Sequence, residues 1–294
     1  MLGSIYKNIL SPKVGRNGFL AIMLFGLTIT SSLQAHEYWI EPHKFEVETG
    51  GEIEADLRNG QNFKGNRLYF LTNGFTRFDI FDGRAIHNAN GNNGDQPALK
   101  FKTTIPGLHI LTYQSTFSDL TFEKWEKFLT YTKNQGLDKV VKRHLERGLD
   151  KNNFRESYAR TIKALVKVGE GTGNDKRTGL PFEFVAQENP YRLKGDGTVR
   201  QQINVRLFLE EKWAVNKQVL IFQNNGKVTQ TTGHTDGQGL IAIPLNGGGK
   251  FMLSAVHMFE GDDDPDTKRP EWLSYWANLI FAVPGTDRHN NRSE

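Results

Sequence analysis

Short runs in which apolar and polar residues alternate, cut again and again by glycine and asparagine, constrain this chain most. Phe45-Glu46-Val47-Glu48 alternates with period two and runs into Gly50-Gly51; Glu52-Ile53-Glu54-Ala55-Asp56-Leu57 alternates again. A strand sends successive side chains to opposite faces, so such runs form half-buried strands. Arg67 to Leu71 and Phe75 to Phe81 are apolar-aromatic runs around Thr72-Asn73-Gly74, and Leu108 to Gln114 follows the turn Pro106-Gly107. Further strands are expected at Val199 to Glu210, Gln218 to Gln223, Leu240 to Leu245, Lys250 to Phe259 and Leu273 to Val283. The pattern predicts a mainly β fold of two Ig-like β-sandwich domains, 36–190 and 198–284. The boundary falls between Asn189-Pro190-Tyr191 and Gly195-Asp196-Gly197, and residues 285–294 form a polar, disordered tail.

One stretch breaks the pattern. Phe122, Trp125, Phe128 and Leu129 recur at three and four residues behind a Ser118/Asp119 cap; Leu137, Val140, Val141 and Leu145 do the same, ending near Gly148. This predicts a helical insertion at about 119–150, with His144 on its exposed side. Thr161 to Val168 returns to strand, Gly169 to Gly179 reads as a polar glycine-rich loop, and Pro181 to Ala186 as another short strand. Asn88 to Gln96 reads as an exposed loop.

The N-terminus has the order of a secretory signal peptide. Lys7, Lys13 and Arg16 precede the apolar run Phe19 to Thr30, and Leu33-Gln34-Ala35 offers a cleavage site after Ala35. Its removal takes away three positive charges and no negative ones, so the formal charge falls from +4 to +1. No compact basic patch with interleaved aromatics remains, which argues against nucleic acid. There is no cysteine, so a disulfide framework, a thiolate metal site and a cysteine nucleophile are excluded. The expected location is the periplasm.

Cleavage after Ala35 makes His36 the first residue. Its α-amine and imidazole are two nitrogen donors on one residue, suited to nickel, copper or zinc. His257 is the second candidate ligand. It shares a strand face with Leu253, Ala255 and Phe259, where a histidine is either a ligand or a core residue. Glu260, Asp262, Asp263, Asp264 and Asp266 crowd the sequel, and Glu260 is the weaker third ligand. His43 and His109 are spare imidazoles; His87 is expected exposed and His234 structural. His36 and His257 together form a brace of one amine and two imidazoles, a field that also suits Cu(II). His-Glu-x-x-His, Gly-x-Ser-x-Gly and a phosphate-cradling Gly-x-x-x-x-Gly-Lys-Ser/Thr are all absent. Trp39, Trp272 and Trp276 are expected as core or interface aromatics, and a sugar platform is the other reading they would support.

Val219-Leu220-Ile221, the turn Thr235-Asp236-Gly237-Gln238-Gly239 and the strand opened by Gly249-Lys250-Phe251 resemble a transthyretin-like or carboxypeptidase-regulatory sandwich. The chain from 35 to 283 resembles the DUF4198 family. The carrying residues are Ala35 to Pro42 (AHEYWIEP), Tyr158 to Gly169 (YARTIKALVKVG), Ser254-Ala255-Val256-His257 and Trp272 to Leu279 (WLSYWANL). The resemblance implies a periplasmic, non-enzymatic component of nickel or cobalt uptake that passes metal to a membrane permease. Two other readings stay open: a copper histidine-brace protein, as carrier or oxidative polysaccharide enzyme, and a structural or adhesive module without metal.

Overall fold

The computed structural model describes residues 37–192, 194–195, 198–199, 201–261 and 269–283. The expected leader, His36, the acidic residues Asp262, Asp263, Asp264 and Asp266, and the tail 285–294 lie outside the described residues. Among the described residues no helix is long and apolar enough to cross a membrane.

The chain opens with β1 (Glu37–Pro42), β2 (Glu46–Val47), β3 (Glu52–Gln61), β4 (Lys64–Leu68), β5 (Phe75–Phe81), β6 (Ile86–Asn88), β7 (Leu99–Lys102), β8 (Gly107–Ser115) and β9 (Ser118–Phe122). Helices α1 (Trp125–Asn134) and α2 (Asp138–Glu146) follow, then β10 (Phe154–Val168) and β11 (Phe182–Ala186). The remainder is β12 (Lys194–Gly195), β13 (Thr198–Val199), β14 (Gln202–Leu209), β15 (Lys212–Trp213), β16 (Gln218–Asn224), β17 (Val228–His234), β18 (Leu240–Pro244), β19 (Gly249–Glu260) and β20 (Trp272–Val283). The protein is mainly β, as the alternating runs predict.

Three layers result. A central ten-stranded sheet runs β17-β16-β19-β20-β10-β8-β5-β6, with β2 and β9 also paired to β10. One outer sheet is β1-β3-β4 with β7 on β3; the other is β11-β14-β15 with β18 on β14. Period two divides the central sheet between them. Leu165, Ile221, Leu253 and Leu279 pack with Phe182, Val205 and Ile243 of the second outer sheet. Ile162, Ala164, Leu220, Met252 and Ile280 pack with Trp39, Ile40, Ile53 and Leu57 of the first. A strand buried on both faces reads as a continuous apolar run, and Ile162 to Val168 is such a run except at Lys163 and Lys167.

The helices cap the same face as the first outer sheet, further along the strands. There Phe122, Phe128 and Tyr131 meet Phe154, Val256, Met258, Trp272 and Trp276. Trp39, Trp272 and Trp276 are all buried and belong to the core.

The structure corrects four readings. Ser118/Asp119 caps no helix: residues 118–122 are β9, paired antiparallel with Phe154–Tyr158, and the cap position of α1 is Lys124. Phe122 therefore buries its ring from a strand. His144 is fully buried, because Trp272 Nε1–H donates to its Nδ1 at 3.0 Å and its Nε2 lies 2.9 Å from the Asp150 carbonyl. Those two partners satisfy both ring nitrogens, so burial costs it no hydrogen bond. His234, expected structural, ends the edge strand β17 and is exposed. Finally, the boundary near 190–198 does not separate the sheets. β10, from the expected first domain, pairs in parallel with β20, from the expected second, from Glu156↔Trp272 to Ala164↔Ile280.

Candidate functional site

A row of buried polar groups interrupts the apolar face where the first outer sheet and the helical cap meet. On β10 it is Glu156 and Arg160; on β20 it is Ser274 and Asn278; Glu37 enters from the first position of β1. Their even spacing puts the β10 and β20 members on one face. In β10 they fall between Phe154 of the helical cluster and Ile162 of the sheet cluster.

Several of these groups lack partners. Glu37 Oε2, Glu156 Oε2, Arg160 Nη1 and both amide atoms of Asn278 are buried with no hydrogen-bond partner among the described residues. Asn278 is 2% exposed and lies across from Ser254 on β19 and Ile162 on β10. A buried unpaired polar group costs about 1–3 kcal/mol. A concentration of them on one seam marks a place built for something more than packing.

The rest of the row is tightly organised. The Arg160 guanidinium carbon sits 4.2 Å from the Trp276 ring centroid and 5.0 Å from that of Tyr158. Its backbone N–H donates to Ser115 Oγ at 2.8 Å. Glu156 Oε1 accepts from Tyr131 O–H at 3.0 Å and from the Ser274 hydroxyl, which itself accepts from Trp276 Nε1–H at 3.1 Å. Burial pushes the Glu37 carboxyl up to about 7, against the lowering pull of its own and Asn62's backbone N–H groups and of Arg160. Burial raises Glu156 as well and lowers Arg160.

Glu37 lies one strand away from open space. It pairs with Gly60 across β1 and β3. Gly60 and Gly65 face each other so closely that a Cβ on Gly60 would stand 2.0 Å from the Lys64 carbonyl oxygen and 2.3 Å from Gly65 Cα. The hairpin then turns through Asn62 (φ 52°) and Phe63 (φ 61°), both left-handed, as a two-residue turn between twisted strands requires. The amide-rich cavity around this hairpin measures about 650 Å³ and is lined by Asn59, Gly60, Gln61, Asn62, Lys64 and Gly65, among others.

The residues expected to bind metal are dispersed. His257 faces the second outer sheet, with its ring 5.9 Å from that of Phe182 and its Nδ1 2.8 Å from Lys217 Nζ. Burial, and then the Lys217 charge, push its imidazole down to about 4. It is therefore neutral at pH 7 and accepts from the ammonium. Glu260, three residues on, faces the opposite side. Arg143 Nε and Nη2 grip its two oxygens at 2.8 and 3.1 Å. His43 is half-exposed beside Glu54 and Asp56, at 3.5 and 3.2 Å, and Asp56 also holds Arg58 and Arg67. His109 is fully buried in β8, with Nδ1 3.4 Å from the Gly107 carbonyl. His87 pairs with Asp82 at 2.7 Å. The structure does not bring His257, Glu260 and His43 together. Among the described residues no three of His, Cys, Asp and Glu converge on a point where an ion would sit.

The polar row escaped the sequence reading because its members come from positions 37, 156, 160, 274 and 278. One signal was present. Arg160 and Lys163 are charges in a stretch, Tyr158 to Val168, that is otherwise mostly apolar.

These features define a β-sandwich protein with a helical cap and a buried polar seam. Comparison with known families places it further. The model described as "Domain of unknown function (DUF4198)" matches residues 33–259, and the chain belongs to that family. No curated protein matches. Among solved structures, the D0-D1 domain of Intimin aligns with 82% of this chain and 96% of its own, at 13% identity and a TM-score of 0.21.

Proposed function

We propose that this chain is an exported, non-enzymatic binder of a divalent transition metal, with nickel or cobalt as cargo delivered to a membrane permease. The observation that carries the reading is Glu37, the residue covalently next to His36. It is a buried carboxylate with Oε2 unpartnered among the described residues, on the strand next to the cavity-lining hairpin. Cleavage after Ala35 would put a free amine and an imidazole one residue from that oxygen. Two nitrogens and a carboxylate oxygen make a donor set for a first-row divalent ion. The choice of nickel or cobalt and the permease come from the family resemblance. His257, Glu260 and His43 have no part in this site, since each is committed elsewhere.

Metal and proton would compete for Glu37. Because burial holds its carboxyl near 7, binding releases a proton at neutral pH and weakens on acidification. The test is equilibrium dialysis of the mature chain against Ni(II), Co(II) and Cu(II). Four proteins are compared: the wild type, His36→Ala, Glu37→Gln, and a form with one alanine added before His36. One bound ion per chain, weakened in all three altered forms, supports the proposal. Equal binding by the alanine-extended form refutes it, because that form moves only the amine.

A further inference from the structure

Lys163 is the one lysine of β10 whose side chain is shut inside the molecule, at 1% exposure. It points to the face of the second outer sheet, opposite the polar seam. Two carboxylates meet its ammonium there: Asp175 Oδ1 at 2.7 Å and Glu183 Oε1 at 3.2 Å, both fully buried side chains. Asp175 belongs to the stretch Gly169 to Gly179 that reads as a polar glycine-rich loop, and Glu183 lies on β11.

The arrangement is more than an ion pair needs. Lys163 Nζ has two further acceptors, the carbonyls of Lys176 at 2.9 Å and Phe184 at 3.0 Å. An ammonium has three protons for these four acceptors. Glu183 is satisfied without the lysine. Its Oε1 accepts from Thr178 N–H at 2.7 Å and Thr178 O–H at 2.8 Å, and its Oε2 from Gly179 N–H at 3.2 Å. Asp175 is held from both sides by backbone donors: Oδ1 by Lys176 N–H and Oδ2 by Ala186 N–H, each at 2.8 Å. Donors fixed on both oxygens of a carboxyl suit a tetrahedral adduct at its carbon, where negative charge gathers on oxygen.

We propose that Lys163 and Asp175 condense to an intramolecular amide, with Glu183 moving the proton. Glu183 takes a proton from the ammonium and frees the amine lone pair. Nζ attacks Cγ of Asp175, and an N–C bond forms. Glu183 then returns the proton to Oδ1, which also receives a second proton from nitrogen. The Cγ–Oδ1 bond breaks and water leaves. Oδ2, held by Ala186 N–H, remains as the amide oxygen. One ammonium and one carboxylate give one amide and one water; Glu183 ends as it began, and no other reagent is consumed. Burial pushes the Asp175 carboxyl up toward the acid form that accepts attack. Condensation also removes two charges from a dry site, where each ion's desolvation is costly. The product ties the central sheet to the loop that leads into the second outer sheet, in a chain with no cysteine to make such a tie.

Mass spectrometry of the purified wild-type chain tests this directly. The expected result is an intact mass lower by one water molecule, with a branched tryptic peptide joining the segments around Lys163 and Asp175. Glu183→Gln and Lys163→Arg should both give linear peptides at full mass. Asp175→Asn, if it still condenses, should lose ammonia in place of water. Wild-type protein at full mass, with linear peptides from both segments, overturns the proposal and leaves a buried ion triad. So does a one-water loss that fragment sequencing localises to a succinimide within a single linear peptide. The wild-type reading depends on no variant folding.

Discussion

Glu37→Gln isolates the energetics of the polar seam. Glutamine keeps the shape of the side chain and cannot ionise, so it stands in for the protonated acid. The Glu37 carboxyl lies at about 7 in the folded chain against an ordinary 4.5. For an acid whose value is raised by folding, the contribution to stability is fully present below the unfolded value. It is lost as pH rises through the folded one, here between about 4.5 and 7. At about 1.4 kcal/mol for each pH unit of displacement, ionised Glu37 costs the fold about 3 kcal/mol above pH 7. The variant escapes that cost. Urea denaturation at pH 4 and pH 8 should show near-equal stabilities at pH 4 and a variant more stable by about 3 kcal/mol at pH 8. In a domain of this size that is a rise of roughly 6–12 °C in Tm. Other titrating groups are common to both proteins and cancel in the difference. A variant whose advantage is the same at both pH values would show that Glu37 is solvated, and the reasoning about the seam would fail with it. The same substitution should weaken metal binding, so a gain in stability and a loss of binding are expected together.

Two further predictions concern histidines. His257 should stay neutral down to about pH 4, because burial and the neighbouring Lys217 disfavour its charge. Folding lowers this base, so its contribution is present above about 6.5 and fades as pH falls through about 4. An imidazole NMR titration with a midpoint near 6.5 would refute this. His144→Phe should leave the Trp272 indole N–H and the Asp150 carbonyl without their partner. At about 1–3 kcal/mol for each unsatisfied group, the loss should be plain as a lower urea midpoint; an unchanged midpoint would mean that His144 is solvated after all.

The strands at Gln218–Asn224, Leu240–Pro244, Gly249–Glu260 and Trp272–Val283 lie within a residue or two of their sequence patterns. Alternation and flanking glycines are local signals, and pairing partners only reinforce them. Ser118/Asp119 misled because a capping residue looks the same before a strand; the pairing of β9 with β10 decided it. His144 misled for a related reason. Its basic neighbours Lys142, Arg143 and Arg147 suggest a solvated face, but a helix turns and carries it inward to Trp272. The candidate site was not legible in the sequence, where Glu37 stands beside His36 with nothing to mark its burial. Arg160 and Asn278 acquire meaning when β10 and β20 lie side by side, and no local pattern encodes that pairing. Asp175 was hidden in the same way, in a stretch whose glycines suggest a polar loop while its carboxylate is buried on Lys163.

The position of β20 has a consequence for how the chain folds. It is the last strand described, yet it lies in the middle of the central sheet, between β19 and β10. Residues 156–164 of β10 therefore wait for the C-terminal residues before they gain β20 as a neighbour. Contacts so distant along the chain must close a large loop before they give any return, which slows folding. The protein cannot mature piecewise from its N-terminus. Loss of the final twelve residues of β20 would split the sheet at its centre, and a nascent chain has to be kept from aggregating until its end is released.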